Sequence, residues 1–565
     1  MKRIMKTILK MGLITLISFM VLPAVAQTKM MVLSDTHVMS KKLIVNDGTA
    51  WQTALSGERK LLDYSQEIFD ALMDTVMQRN PQLLLITGDL TKDGELWSHQ
   101  HVVEGLERLR QAGIKTYVIP GNHDLGNNNA KVFDGDISYK AEVVDAEMFT
   151  QMYAHFGYDE HSLRESTSLT YACEPIKGLV LIGIDSGTNG SLSETTLNWV
   201  CQQAQKAKEQ GKQVIAMMHH ALVPHFVGVE KIVNSAFVKD YELIRNRLAE
   251  AGIRVIFTGH FHSSDIAKDY NEDMSEHIFD VSTGSPISYP CDFREVNLNE
   301  KKSQLSISSG RVTALKNDAH FSETARNRLL ASLKKIANAR VGNELLADIA
   351  AVSLVIHAEA NEQNSRDGQN MLTMYNFGKR SLASNATING KITQMGLTWD
   401  LMDSILNSML KNISAYGQEG RQSVNDDLNI TIDMPLVNTS NRILGDIDGN
   451  GKVDIVDIVT LVNIILGETI IDDIEVADMD SYGIINIADA TALHAVVADL
   501  RSCHHLDGTT LVVLRILQNI DAAQSALSVQ SLVREVLAYD SDQIVVVVLI
   551  LQFLHPLLEL VKLKF

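Results

Sequence analysis

The 565-residue sequence predicts an α/β protein followed by smaller helical units. Three observations carry that expectation. The runs Leu83 to Ile86, Tyr117 to Ile119, Leu179 to Ile184, Val214 to Met218 and Val255 to Phe257 are almost continuously apolar, as strands covered on both faces are. Between such runs lie stretches of helical period: Ile68, Leu72 and Val76 share one stripe, and Val102, Leu106 and Leu109 another. Gly113 and Gly252 stand where helices of this kind end in a left-handed cap. Strands alternating with helices imply layers of sheet and helix packed around common cores.

Taken in chain order, residues 1–26 read as a removable export signal. Lys2, Arg3, Lys6 and Lys10 precede the apolar stretch Met11 to Val21, and Ala24-Val25-Ala26 offers a small-residue cleavage site. The mature chain would start near Gln27 and be secreted, periplasmic or held at the cell surface. Residues 28–315 carry the strand–helix alternation. Residues 320–413, with Leu329, Leu330, Leu333, Ile336, Leu401, Ile405 and Met409 at helical spacing, read as a helical spacer or cap. The polar stretch 414–441 reads as a linker, 444–500 as a short acidic duplication, and 501–565 is unassigned. Ile544 to Val561 is apolar, but its uninterrupted part is about eight residues, against the roughly 20 a spanning helix needs. No firm membrane anchor is expected.

With 50 Lys+Arg against 69 Asp+Glu the formal charge is −19, so no extended basic surface for nucleic acid is expected. Any chemistry on an anion must borrow positive charge. The four cysteines, Cys173, Cys201, Cys291 and Cys503, form no CxxC pair and read as small buried hydrophobes.

Each apolar run of 28–315 delivers a polar cluster at its carboxyl end, where open α/β sheets bind ligands. In order these are Asp35-Thr36-His37, Gly88-Asp89, Gly121-Asn122-His123-Asp124, His219-His220 and Gly259-His260-Phe261-His262. Singly, each is an ordinary turn. Five in series would bury many unpaired polar groups at a high cost unless a cation joined them. Oxygen and imidazole donors without thiolate suit Mn, Fe, Zn or Ni.

The ordered set DTH, GDLTKDGE, GNHD, HH and GHFH resembles the calcineurin-like metallophosphoesterase family over about residues 30–315. The resemblance implies a layered β-sandwich flanked by helices and a dinuclear centre of two divalent transition metals. Asp35, His37 and His262 would hold one metal, and Asn122, His219 and His260 the other, with Asp89 bridging. His123 would be the acid beside the leaving group, with Asp124 orienting it. His219 is preferred to His220, and the choice stays open. Two such metals clamp a phosphate and acidify water to hydroxide, which attacks phosphorus in line. An imidazole then protonates the departing alkoxide.

Departures narrow the subfamily. Lys92 stands where purple acid phosphatases carry tyrosine, and Leu90-Thr91-Lys92 lacks the Asp-Arg-Gly of protein serine/threonine phosphatases. The GDLTKDGE stretch and Asp185-Ser186-Gly187 resemble the phosphodiesterase-like branch, so a small-molecule phosphodiester is the leading substrate. The alternative is a broad phosphomonoesterase or nucleotidase, and the second alternative an inactive attachment protein. His99 and His101, two apart on a predicted helix, are expected to be solvated. The aromatic-rich insert 125–170 either shapes the substrate entrance or simply packs against the core.

In the acidic duplication, Asp446, Asp448, Asn450, Asp454 and Asp457 occupy positions 1, 3, 5, 9 and 12 of a calcium loop, with the Lys452 carbonyl as a further ligand. The pattern recurs 32 residues on with Asp478, Asp480, Asn486 and Asp489, although Tyr482 replaces the oxygen donor at position 5. This segment resembles a type I dockerin, a small all-α calcium-binding module. The resemblance implies a cohesin-type protein partner, with Ile455-Val456 and Ile487-Ala488 at the positions that select it.

Overall fold

The computed structural model describes residues 27–56, 58–159, 161–232, 237–299, 303–360, 362, 365–411, 426–435, 444–447, 452–465, 474–479, 485 and 489–493. The expected signal segment 1–26, most of 414–441, the expected calcium ligands Asp448, Asn450, Asp480 and Asn486, and residues 501–565 lie outside them. The chain divides into two units, Met1–Val437 and Asn438–Phe565.

Two sheets form the sandwich of the first unit. One runs β16 (Ile430–Asp433), β15 (Gln304–Arg311), β14 (Asp292–Asn299), β1 (Gln27–Leu33), β3 (Leu83–Ile86) and β4 (Lys115–Val118). The other runs β12 (Asp265–Tyr270), β13 (His277–Ser282), β11 (Val255–Thr258), β10 (Gln213–Met218), β9 (Leu179–Ile184), β8 (Tyr171–Ile176) and β7 (Leu163–Arg164). Within the sheets, β1, β3 and β4 pair in parallel, as do β9, β10, β11 and β13, and antiparallel strands close every edge except that of β4.

Side-chain alternation explains why the central strands are apolar throughout. Leu181, Ile215, Met217 and Phe257 point into one core with Leu33, Leu85, Phe293 and Val296 of the facing sheet. Ile182, Ala216, Met218 and Ile256 point the other way, onto the helices Glu194–Glu209 and Tyr241–Glu250. A strand buried on both faces has no polar side to show. The helices Ser65–Arg79 and Leu96–Gln111 bury the stripes read from the sequence. Gly113 and Gly252 follow their helices with φ of 84° and 94°.

The insert after Leu125 adds a small sheet of β2 (Ile44–Asn46), β5 (Lys131–Asp134) and β6 (Ile137–Lys140). Its aromatic residues Phe133, Phe149, Tyr153, Phe156 and Tyr158 are buried against the core, while Tyr139 is exposed. Packing therefore accounts for most of this insert.

Residues 321–411 contain five described helices, Phe321–Val341, Glu344–Ala358, Arg366–Ala383, Ala386–Gln394 and Trp399–Lys411. They share a core of their own and also meet the β-domain, where Ile405 and Met409 pack with Ala221, Phe226 and Phe237. The linker reading of 414–441 is corrected at Ile430–Asp433. Those residues pair antiparallel with Gln304–Ile307, and Ile432 is buried, so apolar alternation outweighs the polar composition around it. Just before them, the buried Asp427 accepts the Ile266 amide at 2.9 Å.

In the second unit, Ile458, Leu461, Ala477, Ala490 and Leu493 make a small core. Helix Ile455–Ile465 starts within the first acidic loop. Asp457 accepts from the Ile447 amide at 2.7 Å, and Asp489 accepts from the Met479 amide at 2.8 Å. The duplication in sequence is thus repeated in hydrogen bonding. Among the described residues no helix is long and apolar enough to cross a membrane.

Candidate metal centre

The loops at the carboxyl ends of β1, β3, β4, β10 and β11 converge. His37 Nε2 lies 3.1 Å from His262 Nε2 and 3.4 Å from Asp89 Oδ2. His219 Nε2 lies 3.3 Å from the same Asp89 oxygen, 3.0 Å from Asn122 Oδ1 and 3.2 Å from His260 Nδ1. Asp35 Oδ1 is 3.3 Å from His262 Nε2. Asp35, His37, Asp89 and His219 form a buried floor, and Asn122, His123, His260 and His262 a half-buried rim.

One atom of each key side chain is tied down and another is left aimed into the cluster. Asp35 Oδ2 accepts from the His260 amide at 2.8 Å and from Ser34, which leaves Oδ1 with no hydrogen-bond partner. Asp89 Oδ1 accepts the His123 amide at 2.8 Å, leaving Oδ2 between His37 and His219. His219 Nδ1 meets the Thr87 carbonyl at 2.9 Å, which presents Nε2. This is the arrangement in which an outer contact sets the tautomer and aim of a metal ligand.

The backbone is bent to make it. Asp35, His37, Asp89, His260 and His262 have φ of 51°, 37°, 50°, 69° and 64°, a left-handed region that costs such residues on the order of 1–3 kcal/mol each. The glycines permit close approach: a Cβ on Gly121 would sit 2.2 Å from Asp89 Oδ1, and one on Gly259 1.7 Å from Ser34 Oγ.

Electrostatics follow the crowding. Burial opposes charge on Asp89, yet His219 and His37 outweigh it and hold the carboxyl well below the usual carboxylate range. Against the same burial, Asp89 and Asp35 raise His219 to about 9. Burial, then the His219 charge, push His260 down to about 4.

Of the two adjacent histidines, His219 is the one in the cluster. His220 turns away to Ser186 Oγ at 2.8 Å, and burial lowers it to about 2.

The expectation for Asp124 is corrected. Its buried carboxylate accepts from the Leu90, Thr91 and Gly121 amides and from Thr91 Oγ1, between 2.8 and 3.1 Å. It staples two loops together and is not the partner of the His123 ring. That partner is Asp93, whose Oδ1 lies 2.8 Å from His123 Nδ1. Burial opposes charge on both groups, but Asp89 and Asp93 raise His123, and His123 and Lys92 lower Asp93. Asp93 lies within the GDLTKDGE motif, and its only signal in the sequence is a second acid four residues after Asp89.

His99 is a second correction. It is buried, with Nε2 3.0 Å from the Asp124 carbonyl and Nδ1 2.8 Å from Tyr153 Oη, whereas His101 is half-buried beside Asp70. Helical phase separates the two rings, but the insert covers the face that carries His99. Tyr289 binds Glu359 at 2.8 Å through its hydroxyl, and His225 lies in a separate buried cluster.

Residues 28–264 match the family profile described as Calcineurin-like phosphoesterase. This stretch is a calcineurin-like phosphoesterase domain. The sheets continue past it through β12, β13, β14, β15 and β16. A probable glycerophosphodiester phosphodiesterase from Arcobacter nitrofigilis is 26% identical over 240 residues, covering 40% of this chain and 70% of the relative. A probable cyclic nucleotide phosphodiesterase from a Synechococcus species is 24% identical over 200 residues, covering 35% of this chain and 64% of the relative. Among solved structures, a dimetal phosphatase from Danio rerio aligns with 50% of this chain and 96% of its own, at 12% identity and a TM-score of 0.36.

The calcineurin-like family implies a dinuclear divalent metal centre, and the donors of this domain fit one. Asp35, His37 and His262 form one group of three with ligand atoms within 4.8 Å of one another, and Asp89, His219 and His260 form another. The unpartnered Asp35 Oδ1 and the imidazole nitrogens set 3.1–3.2 Å apart are donor atoms without protons enough to satisfy them all.

Proposed function

We propose that this protein is an exported metal-dependent phosphodiesterase that acts on a small phosphate ester. The observation that carries the reading is the convergence of Asp35, His37, Asp89, Asn122, His219, His260 and His262 beneath a half-buried His123. In this proposal Asp35, His37 and His262 hold one cation, Asn122, His219 and His260 the other, and Asp89 touches both. When bound, two divalent ions such as Mn, Fe, Zn or Ni supply the charge that neutralises phosphoryl oxygens and the acidity that activates water.

The chain's own residues do the rest. With His123 Nδ1 tied to Asp93, Nε2 is the ring nitrogen left for substrate, and it delivers the proton to the departing alkoxide. Asp93 keeps the ring oriented and favours its protonated form. Asp124 holds the loops of Asp89 and His123 in register. The preference for diesters is supported by the similarity to two proteins named as probable phosphodiesterases. Hydrolysis of bis-p-nitrophenyl phosphate with added Mn²⁺ tests the proposal: the wild type should turn it over and Asn122→Ala should be strongly impaired. Equal rates would defeat it.

For the second unit the proposal is a calcium-binding, dockerin-like module that attaches the enzyme to a cohesin-type partner. Its support is the repeated Asp457 and Asp489 bonds to loop amides, beside Asp446, Lys452, Asp454 and Asp478. Calcium should raise the melting temperature of the full chain, and Asp446→Ala should remove most of that rise. A melting curve indifferent to chelation would defeat this part.

A further inference from the structure

We propose that His225, Asp265 and His357 form a separate metal site, suited to one zinc-like divalent cation, that clamps the helical segment to the β-sandwich. The three residues come from different places: the loop after β10, the start of β12, and the end of helix Glu344–Ala358. Their exposures are 5%, 3% and 2%, and their ligand atoms all lie within 4.8 Å of one another.

A histidine buried for structural reasons alone normally finds hydrogen-bond partners. Here both ring nitrogens of His225 and the Nε2 of His357 have none. Leaving buried nitrogens unsatisfied is costly, and a shared cation would offset that cost. The other nitrogen of His357 is occupied: Nδ1 lies 2.8 Å from Glu362 Oε1. A carboxylate holding one imidazole nitrogen while the other is left unpartnered is the usual outer support of a metal-bound histidine. Asp265 Oδ2, 4.0 Å from His225 Nδ1, supplies the anionic donor.

Two imidazoles and a carboxylate, without thiolate, favour zinc and its neighbours over calcium or magnesium. The surrounding burial marks a closed site, structural in character. Its location matters because the Phe261 ring packs against both histidines, with centroids 4.9 Å from His225 and 5.8 Å from His357. Phe261 lies between His260 and His262, so the clamp braces the loop that presents two residues of the dinuclear cluster.

The test uses the full-length protein, loaded with zinc, freed of loose metal by gel filtration and assayed for metal per chain. The His357→Gln and His225→Gln variants should each hold one equivalent less than wild type and lose a zinc-dependent rise in melting temperature. With cobalt in place of zinc, His357→Gln should lose part of the visible absorption shown by wild type. Glu362→Gln should keep the stoichiometry at saturating zinc but weaken affinity about 10- to 100-fold in a chelator competition. An Asp89→Ala protein, impaired in the other centre, should still lose one equivalent when His357→Gln is added. Equal metal content and equal cobalt spectra in wild type and His357→Gln would overturn the proposal. If the histidine variants do not fold, an unchanged zinc affinity in Glu362→Gln overturns it.

Discussion

The two histidine clusters bracket one loop, His219 at its start and His225 six residues on, yet they are built on opposite plans. The first has a buried floor and a half-buried rim that solvent reaches; the second is sealed. Ligand atoms of the first cluster are placed by backbone amides and left-handed turns. The second is completed by a helical segment, carrying His357, that arrives more than 130 residues after His225. An open cluster on rigid strand ends suits turnover, and a closed one suits holding elements together.

Substitutions can break that contrast. The largest effect is expected at Asp89→Ala, which should lower kcat for a phosphodiester by roughly 10³-fold or more, since it touches both halves of the cluster. Its melting temperature should move far less than its activity. A collapse of both would mean that the open cluster also carries the fold.

Next, His123→Ala should cost about 10²- to 10⁴-fold in kcat when the leaving group is an alkoxide. The loss should be much smaller with p-nitrophenolate, which needs no proton to depart. Equal losses on both substrates would assign His123 to positioning instead of proton transfer.

The sealed side should answer in the opposite currency. Phe226 is buried against Phe261 and His357, and Phe226→Ala should lower stability by about 3–5 kcal/mol, read by urea unfolding. The folded fraction should keep most of its kcat; a larger effect on kcat than on stability would blur the distinction.

The smallest effect concerns Asp280, which joins the two clusters. It accepts from the Leu222 and Val223 amides, between His219 and His225, and from Thr258 Oγ1. Burial raises its pKa from 3.8 to about 6, so the folded state binds a proton that the unfolded chain releases. That contribution is fully present below 3.8 and is lost as pH rises through 6. Asp280→Asn should therefore flatten the dependence of unfolding free energy on pH across that window, by comparison with wild type at each pH.

Much of this was readable before any coordinates. The five strand-end motifs are local: each sits within a few residues of an apolar run, and the strand fixes where the motif points. The partner of His123 was not readable, because Asp93 and Asp124 are both near in sequence and only the fold of the GDLTKDGE loop turns Asp93 toward the ring. The burial of His99 is not legible in helical phase, because phase cannot foresee an insert that covers one face. Ile430–Asp433 was lost inside a polar stretch, since four residues give little periodicity. The sealed cluster was invisible for the most general reason: His225, Asp265 and His357 share no motif and meet only through tertiary packing.

The left-handed turns at Asp35, His37, Asp89, His260 and His262 carry an evolutionary implication. Glycine would occupy each of these positions at less conformational cost, on the order of 1 kcal/mol apiece. A descendant that drifted to glycine there would shed that backbone cost but strip the His260 and His123 amides of their Asp35 and Asp89 acceptors, so each turn is kept by the side chain it presents.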